Sequence, residues 1–119
     1  MYYTYMIRCE DNSIYTGFTN DLNKRMKSHF GEGKQHAKYT RNHKPNKVEI
    51  AWKTKDKSNA CKLEYYIKTL NKKEKEDLIL NNKLSKYLSG KIDARRYSKV
   101  DLNSELDKEI CKLEIKTTK

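Results

Sequence analysis

The chain has 119 residues, 35% hydrophobic and 36% charged, and Lys+Arg outnumber Asp+Glu by 27 to 16 for a formal charge of +11. That length and a mean hydropathy of −1.10 allow one small-cored domain and exclude a large multi-layer enzyme built around a deep cofactor cleft, a dinucleotide-binding fold included. No apolar run approaches the ~20 residues that cross a bilayer, and Met1-Tyr2-Tyr3-Thr4-Tyr5 lacks the charged-then-apolar order of a signal peptide, so a soluble, cytoplasmic protein with no membrane partner is expected.

Along the chain, Tyr2 to Cys9 and Ile14 to Phe18 are rich in strand-forming residues, and Glu10-Asp11-Asn12-Ser13 between them is turn chemistry, which predicts a β-hairpin. Thr19-Asn20-Asp21 supplies a helix cap, after which Leu22, Met26 and Phe30 recur every four residues until Gly31 and Gly33 end the pattern. Gly33 to Asn46 holds Pro45 and many cations and is too polar for core, so an exposed loop is expected. Val48, Ile50 and Trp52 alternate with Glu49, Ala51 and Lys53, the period of a third strand half buried on one face. From Ser58, a candidate cap, Ala60, Leu63, Ile67 and Leu70 fall on one helical face. Residues 73 to 90 read as short helices ending near Gly90, and Leu102, Leu106, Ile110 and Leu113 sketch a last amphipathic helix. The expected fold is therefore α+β: a small, three-stranded, mainly antiparallel sheet packed with helices over residues 1–82, followed by a helical C-terminal extension over 83–119. Cys9, Cys61 and Cys111 are odd in number and about fifty residues apart, which suits buried structural thiols rather than a disulfide framework or a zinc site.

The charge is concentrated. Between Asn23 and Lys62 stand twelve Lys/Arg against Glu32, Glu49 and Asp56, so this third of the chain carries +9 of the +11. Such a field attracts polyanions, because each phosphate neutralised by Lys or Arg releases condensed counterions; nucleic acid is the natural partner, and Lys24, Lys27, Lys34, Lys38, Arg41 and Lys44 are the candidate backbone contacts. A solvated lysine-rich surface is the competing reading.

Two features are hard to explain as packing. Tyr3, Tyr5 and Tyr15 lie on paired strands whose cross-strand neighbours can bring phenol hydroxyls to one sheet face, although tyrosine is also simply a favoured strand residue. Arg25 and His29 are spaced i and i+4 on the first helix at the margin of its apolar stripe, where a guanidinium and an imidazole can be aimed at one point. Glu64 sits at a similar margin of the second helix among cations, as a salt-bridge partner or a ligand for a hard metal.

Taken together, Tyr3-Thr4-Tyr5, Tyr15-Thr16-Gly17 ten residues after Tyr5, Asp21-Leu22-Asn23-Lys24-Arg25 with His29, and Lys62-Leu63-Glu64-Tyr65 resemble the GIY-YIG nuclease superfamily over roughly residues 2–80, with the texture of its small one-domain bacterial members. The resemblance implies a metal-dependent DNA endonuclease acting on duplex, branched or single-stranded DNA. It implies Tyr5 and Tyr15 as the signature tyrosines, Arg25 as the helix arginine, His29 as the following histidine, and Glu64 as the acidic ligand of one Mg²⁺ or Mn²⁺. Tyr15 is the first choice for preparing the water. The chain departs from the family pattern at Thr4, at Thr16 and at Phe18, where some branches carry a lysine that would lower a tyrosine pKa. An inactive nucleic-acid-binding module and a nuclease half that recruits a protein partner through the C-terminal helices are the alternatives.

Overall fold

A computed structural model describes residues 1–30 and 44–106. The elements are β1 (Tyr2–Cys9), β2 (Ile14–Thr19), α1 (Leu22–Phe30), β3 (Pro45–Thr54), α2 (Lys57–Lys68), α3 (Lys72–Asn81), α4 (Leu84–Leu88), a 3₁₀ turn (Ala94–Arg96), β4 (Ser98–Lys99) and α5 (Leu102–Glu105). The fold is α+β, as expected, with an antiparallel sheet ordered β2-β1-β3-β4. Four strands stand where three were expected. The fourth is two residues long and exposed on both, so it carries no alternation that a sequence pattern could reveal, and it exists only by pairing with Trp52 and Lys53.

The hairpin closes through Asn12, whose φ of 69° is a left-handed conformation that asparagine tolerates. The Asp11 carboxylate accepts from the Ser13 backbone N–H at 3.0 Å and from its hydroxyl at 2.6 Å, a local turn that sets the register of the two strands. Arg8 then ties the hairpin to its surroundings, donating from Nε to Glu49 Oε2 at 3.0 Å and from its terminal nitrogens to Glu76 on α3 and Asn12.

The sheet is covered on both faces. Tyr5, Ile7 and Cys9 pack with Leu22, Met26 and Phe30 of α1, while Met6 packs with Leu63 and Ile67 of α2 and Leu78 of α3. On the α2 side the Thr4 hydroxyl donates to the Ala60 carbonyl at 2.8 Å, which gives that departure from the family pattern a structural use. β3 is consequently buried on both faces rather than one. A register shift between Met6 and Ile7 pairs Met6 with Ile50 and Ile7 with Val48, so Glu49 is left over. Val48 therefore joins the α1 side, whereas Ile50 and Trp52 join the α2 side, and a strict period of two fails across the irregularity.

Several boundaries differ from expectation. Pro45 and Asn46 open β3 instead of closing a loop, which a strand's first residue permits to proline. α2 starts at Lys57 after Asp56, one residue before Ser58, and Leu70 lies beyond its end, half buried against the same cluster. Leu106 follows α5 in extended backbone and is buried against the α1 cluster, so the stripe from Leu102 does not continue as helix through it. Cys9 is buried, and burial raises its thiol pKa, but Cys61 is only partly buried. Gly31, Gly33, Lys34, Lys38, Arg41, Ile110, Cys111 and Leu113 lie outside the described residues. Asn71 forms a capping box with Glu74 at the start of α3, a purely local role. Residues 84–106 fold back on the sheet: Leu84, Leu88 and Tyr97 join the α2-side core, and the Val100 N–H donates to the Ala51 carbonyl at 2.8 Å.

Candidate active site

The hairpin register places Tyr5 opposite Gly17 and Tyr15 opposite Ile7, so both tyrosines stand on the α1 side of the sheet as diagonal neighbours. Their ring centroids are 6.2 Å apart. Helix α1 starts where Asp21 Oδ1 accepts from the Lys24 N–H at 3.1 Å, and from that start its 3.6-residue period brings Arg25 and His29 over the same tyrosines. The His29 ring lies 5.5 Å from that of Tyr5 and 5.1 Å from that of Tyr15.

Tyr5 Oη is the centre of this cluster. It is 3.2 Å from Arg25 Nε and 2.8 Å from His29 Nε2, and both the Tyr5 and His29 side chains are fully buried. A guanidinium can only donate, so the Tyr5 oxygen accepts from Arg25, and the direction of the Tyr5–His29 bond follows the imidazole tautomer. Burial pushes the Tyr5 pKa far above the ordinary phenol value, and the Arg25 hydrogen bond offsets this only in part. Tyr5 is therefore a neutral phenol throughout the physiological range. Burial also works against the Arg25 charge, but its bonds to the tyrosine phenols outweigh this, and Arg25 stays a cation.

Gly17 makes the cluster possible. A Cβ there would stand 2.6 Å from Tyr5 Oη, 2.8 Å from Tyr5 Cζ and 3.1 Å from Tyr15 Cε2. The glycine of Tyr15-Thr16-Gly17 is thus explained by the close approach of two phenol rings, not by any special backbone angle. Thr16, its neighbour, is buried, and its hydroxyl finds no hydrogen-bond partner among the described residues.

Glu64 approaches from the other side of the sheet, around its edge. β2 is an edge strand, α2 packs along it, and the Glu64 side chain is 21% exposed, with Oε2 3.5 Å from Lys68 Nζ. The same Lys68 ammonium lies 6.0 Å from the centroid of the Tyr15 ring. One cation thereby links Glu64 on α2 to Tyr15 on β2, in a neighbourhood where Phe18 provides none. Sequence reasoning passed over Lys68; its spacing of four residues from Glu64 was the available signal. Among the described residues no three His, Cys, Asp or Glu side chains converge, so Glu64 belongs to no three-ligand cluster there. A partly exposed carboxylate outside any such cluster fits a hard divalent cation held mainly by water and by a phosphate ligand, and does not fit an all-protein cage.

Of the proposed backbone contacts, Lys24 and Lys27 are exposed on α1, and Lys44 is exposed with its ammonium 3.7 Å from Glu10. Tyr3 takes no part in the cluster and packs at the margin of the α1-side core.

Comparison with known proteins identifies the family. The family described as the GIY-YIG catalytic domain matches residues 1–77. The chain is 47% identical over 78 residues to the UPF0213 protein FN1575 of Fusobacterium nucleatum, covering 66% of this chain and 76% of that one. It is 42% identical over 85 residues to the UPF0213 protein YazA of Bacillus subtilis, covering 71% and 84%. The solution NMR structure of the UPF0213 protein BH0048 from Bacillus halodurans is 39% identical and covers 67% of this chain and 84% of that one, with a TM-score of 0.45. The four-part tyrosine, arginine, histidine and glutamate arrangement thus stands in a chain that belongs to the GIY-YIG family, among the small bacterial UPF0213 proteins.

Proposed function

We propose that this chain is a metal-dependent DNA endonuclease that hydrolyses phosphodiester bonds with one divalent cation. The observation that carries the reading is the contact of the buried Tyr5 Oη with the half-buried Arg25 and the buried His29, beside Tyr15 and the Lys68–Glu64 pair. A fold gains little by holding a half-buried guanidinium against a phenol, whereas phosphodiester hydrolysis needs a positive fork held rigidly where negative charge gathers in the transition state.

Each side chain has a distinct task. Tyr5, neutral and fixed, holds Arg25 by accepting from Nε and is hydrogen-bonded to His29 Nε2. Arg25 then presents the remaining nitrogens of its fork to a nonbridging phosphate oxygen, a bidentate contact that lysine cannot reproduce. Tyr15, nearer the sheet edge, orients the attacking water, with the Lys68 ammonium beside its ring supplying positive charge at the site. Glu64 would hold one Mg²⁺ or Mn²⁺, which when bound offsets charge on the scissile phosphate and on the leaving oxygen. Lys24, Lys27, Lys34, Lys38, Arg41 and Lys44 are assigned to the phosphate backbone, contacts that position DNA without reading its bases.

The test is cleavage of labelled duplex, branched and single-stranded DNA in the presence of Mg²⁺ or Mn²⁺, by the wild type and by Glu64→Gln. The wild type is expected to cut at least one of these DNAs. Glu64→Gln is expected to keep the fold and bind DNA without cutting it. Glu64→Gln cutting at the wild-type rate would overturn the metal assignment, and a wild type inert on every substrate would overturn the enzymatic reading.

A further inference from the structure

The surface of α2 beside Glu64 carries a feature that neither the core nor the reaction uses. Tyr65 is 64% exposed, alone among the aromatic side chains of the described residues in being a large apolar group left open to water. Its ring is nonetheless held. Tyr66 meets it edge-to-face at 82° with centroids 5.2 Å apart, and Tyr66 is itself half buried against the α2-side core and lies 5.7 Å from Lys91 Nζ. An aromatic ring whose orientation is set from behind while its outer side faces solvent is a preorganised stacking platform.

Its neighbours match one kind of ligand. On a helix, residues three apart share a surface, so Tyr65 stands between Lys62 one turn before it and Lys68 one turn after it, and both lysines are exposed. Each lysine is displaced from the tyrosine by about 4.5 Å along the helix axis. An aromatic ring interleaved with cations is the arrangement by which proteins hold single-stranded nucleic acid, since every base offers a π-face and every linkage a charge. Lys68 also contacts Glu64 and the Tyr15 ring, so the platform adjoins the proposed reaction centre instead of lying on a remote face. Bases stacked within a duplex present only their edges to a protein, whereas an unpaired base presents its face.

We infer that Tyr65 is a specificity-determining residue which stacks on an unpaired DNA base next to the scissile phosphate, with Lys62 and Lys68 on the flanking phosphates, so that the substrate is DNA with a single-stranded segment at the cut site. This deepens the endonuclease reading and rests on it for the nature of the substrate.

The experiment measures binding by fluorescence anisotropy in EDTA, where no cutting occurs, using one labelled blunt duplex and the same duplex with a single-stranded tail. Tyr65→Ala should lose roughly 5- to 150-fold in affinity for the tailed DNA, the range of one base–aromatic stack, and change little on the blunt duplex. Tyr65→Phe, which keeps the ring, should bind both DNAs as the wild type does. Equal weakening of Tyr65→Ala on both DNAs, no weakening on either, or a Tyr65→Phe variant as defective as Tyr65→Ala would overturn the inference. The two readings fail separately. A wild type that binds tailed DNA through Tyr65 yet never cuts it with Mg²⁺ or Mn²⁺ overturns hydrolysis and leaves the stacking site standing. A wild type that cuts DNA while Tyr65→Ala binds both DNAs like the wild type overturns the stacking site alone.

Discussion

Gly17 and Tyr5 face each other across the hairpin so closely that a methyl group on the glycine would come within 2.6 Å of the Tyr5 hydroxyl oxygen. The obstructed atom is the one that holds Arg25 and His29. Gly17→Ala must therefore displace the Tyr5 ring, which is fully buried and has little room to yield. The expected result is a loss of about 1–3 kcal/mol in stability, as for other overpacked core sites, together with a loss of nuclease activity larger than the stability change explains. Urea unfolding and cleavage rates on the same preparation would check it. An alanine variant with wild-type activity would mean that Tyr5 need not hold its present position.

The two signature tyrosines should respond differently to removal of a hydroxyl. Tyr5→Phe takes the hydrogen-bond partner from a fully buried His29 and from Arg25, so it should cost about 1–3 kcal/mol of stability as well as activity. Tyr15 lies at the edge strand and is only partly buried, so Tyr15→Phe should unfold closer to the wild type while losing cleavage. Equal destabilisation by the two substitutions in urea titration would contradict the separation of a structural phenol from a reactive one.

Thr16 offers a gain. Its hydroxyl is buried without a partner among the described residues, and valine has the same branched shape without the hydroxyl. Thr16→Val is expected to stabilise the protein by ~1 kcal/mol, because the desolvated hydroxyl is removed and the strand-favouring shape is kept. A higher urea midpoint with unchanged m-value would be the signature. A lower midpoint would show that the hydroxyl has a partner in the folded protein.

Asp77 provides a pH dependence outside the site. The Lys86 ammonium first, then the Tyr87 hydroxyl and the Asn81 amide, bond to its carboxylate and hold its pKa down at about 2 against an ordinary 3.8. The unfolded chain accepts the proton first as pH falls, so the stabilisation from Asp77 is fully present above its ordinary pKa and is lost between about 4 and about 2. The Asp77 side chain is only partly covered, and screening by solvent keeps the effect small. The difference in urea midpoint between the wild type and Asp77→Asn should be visible at pH 7 and should shrink towards zero by pH 2. A difference that persists undiminished at the acid end would exclude ionisation of Asp77 as its source.

What could be read from the residues alone was local. The hairpin follows from strand formers on either side of Asp11-Asn12-Ser13, and α1 follows from the Asp21 cap and the stripe of Leu22, Met26 and Phe30, because turns, caps and periodicity act within a few residues. Tyr5, Tyr15, Arg25, His29 and Glu64 stood out by their places on regular elements, but their assignment to one site came from the resemblance to the GIY-YIG superfamily and not from local pattern. Tertiary structure decided the rest. The switch of Val48 and Ile50 to opposite sides of the sheet depends on a register shift against β1, and β4 exists only as a partner for Trp52 and Lys53. Tyr5 became the hub and Tyr15 the edge residue because the fold buries one fully and the other only partly, a difference of environment between two residues of identical chemistry. Lys68 reaches Tyr15 only because α2 lies along the edge strand, a contact between residues 53 positions apart that no local pattern encodes.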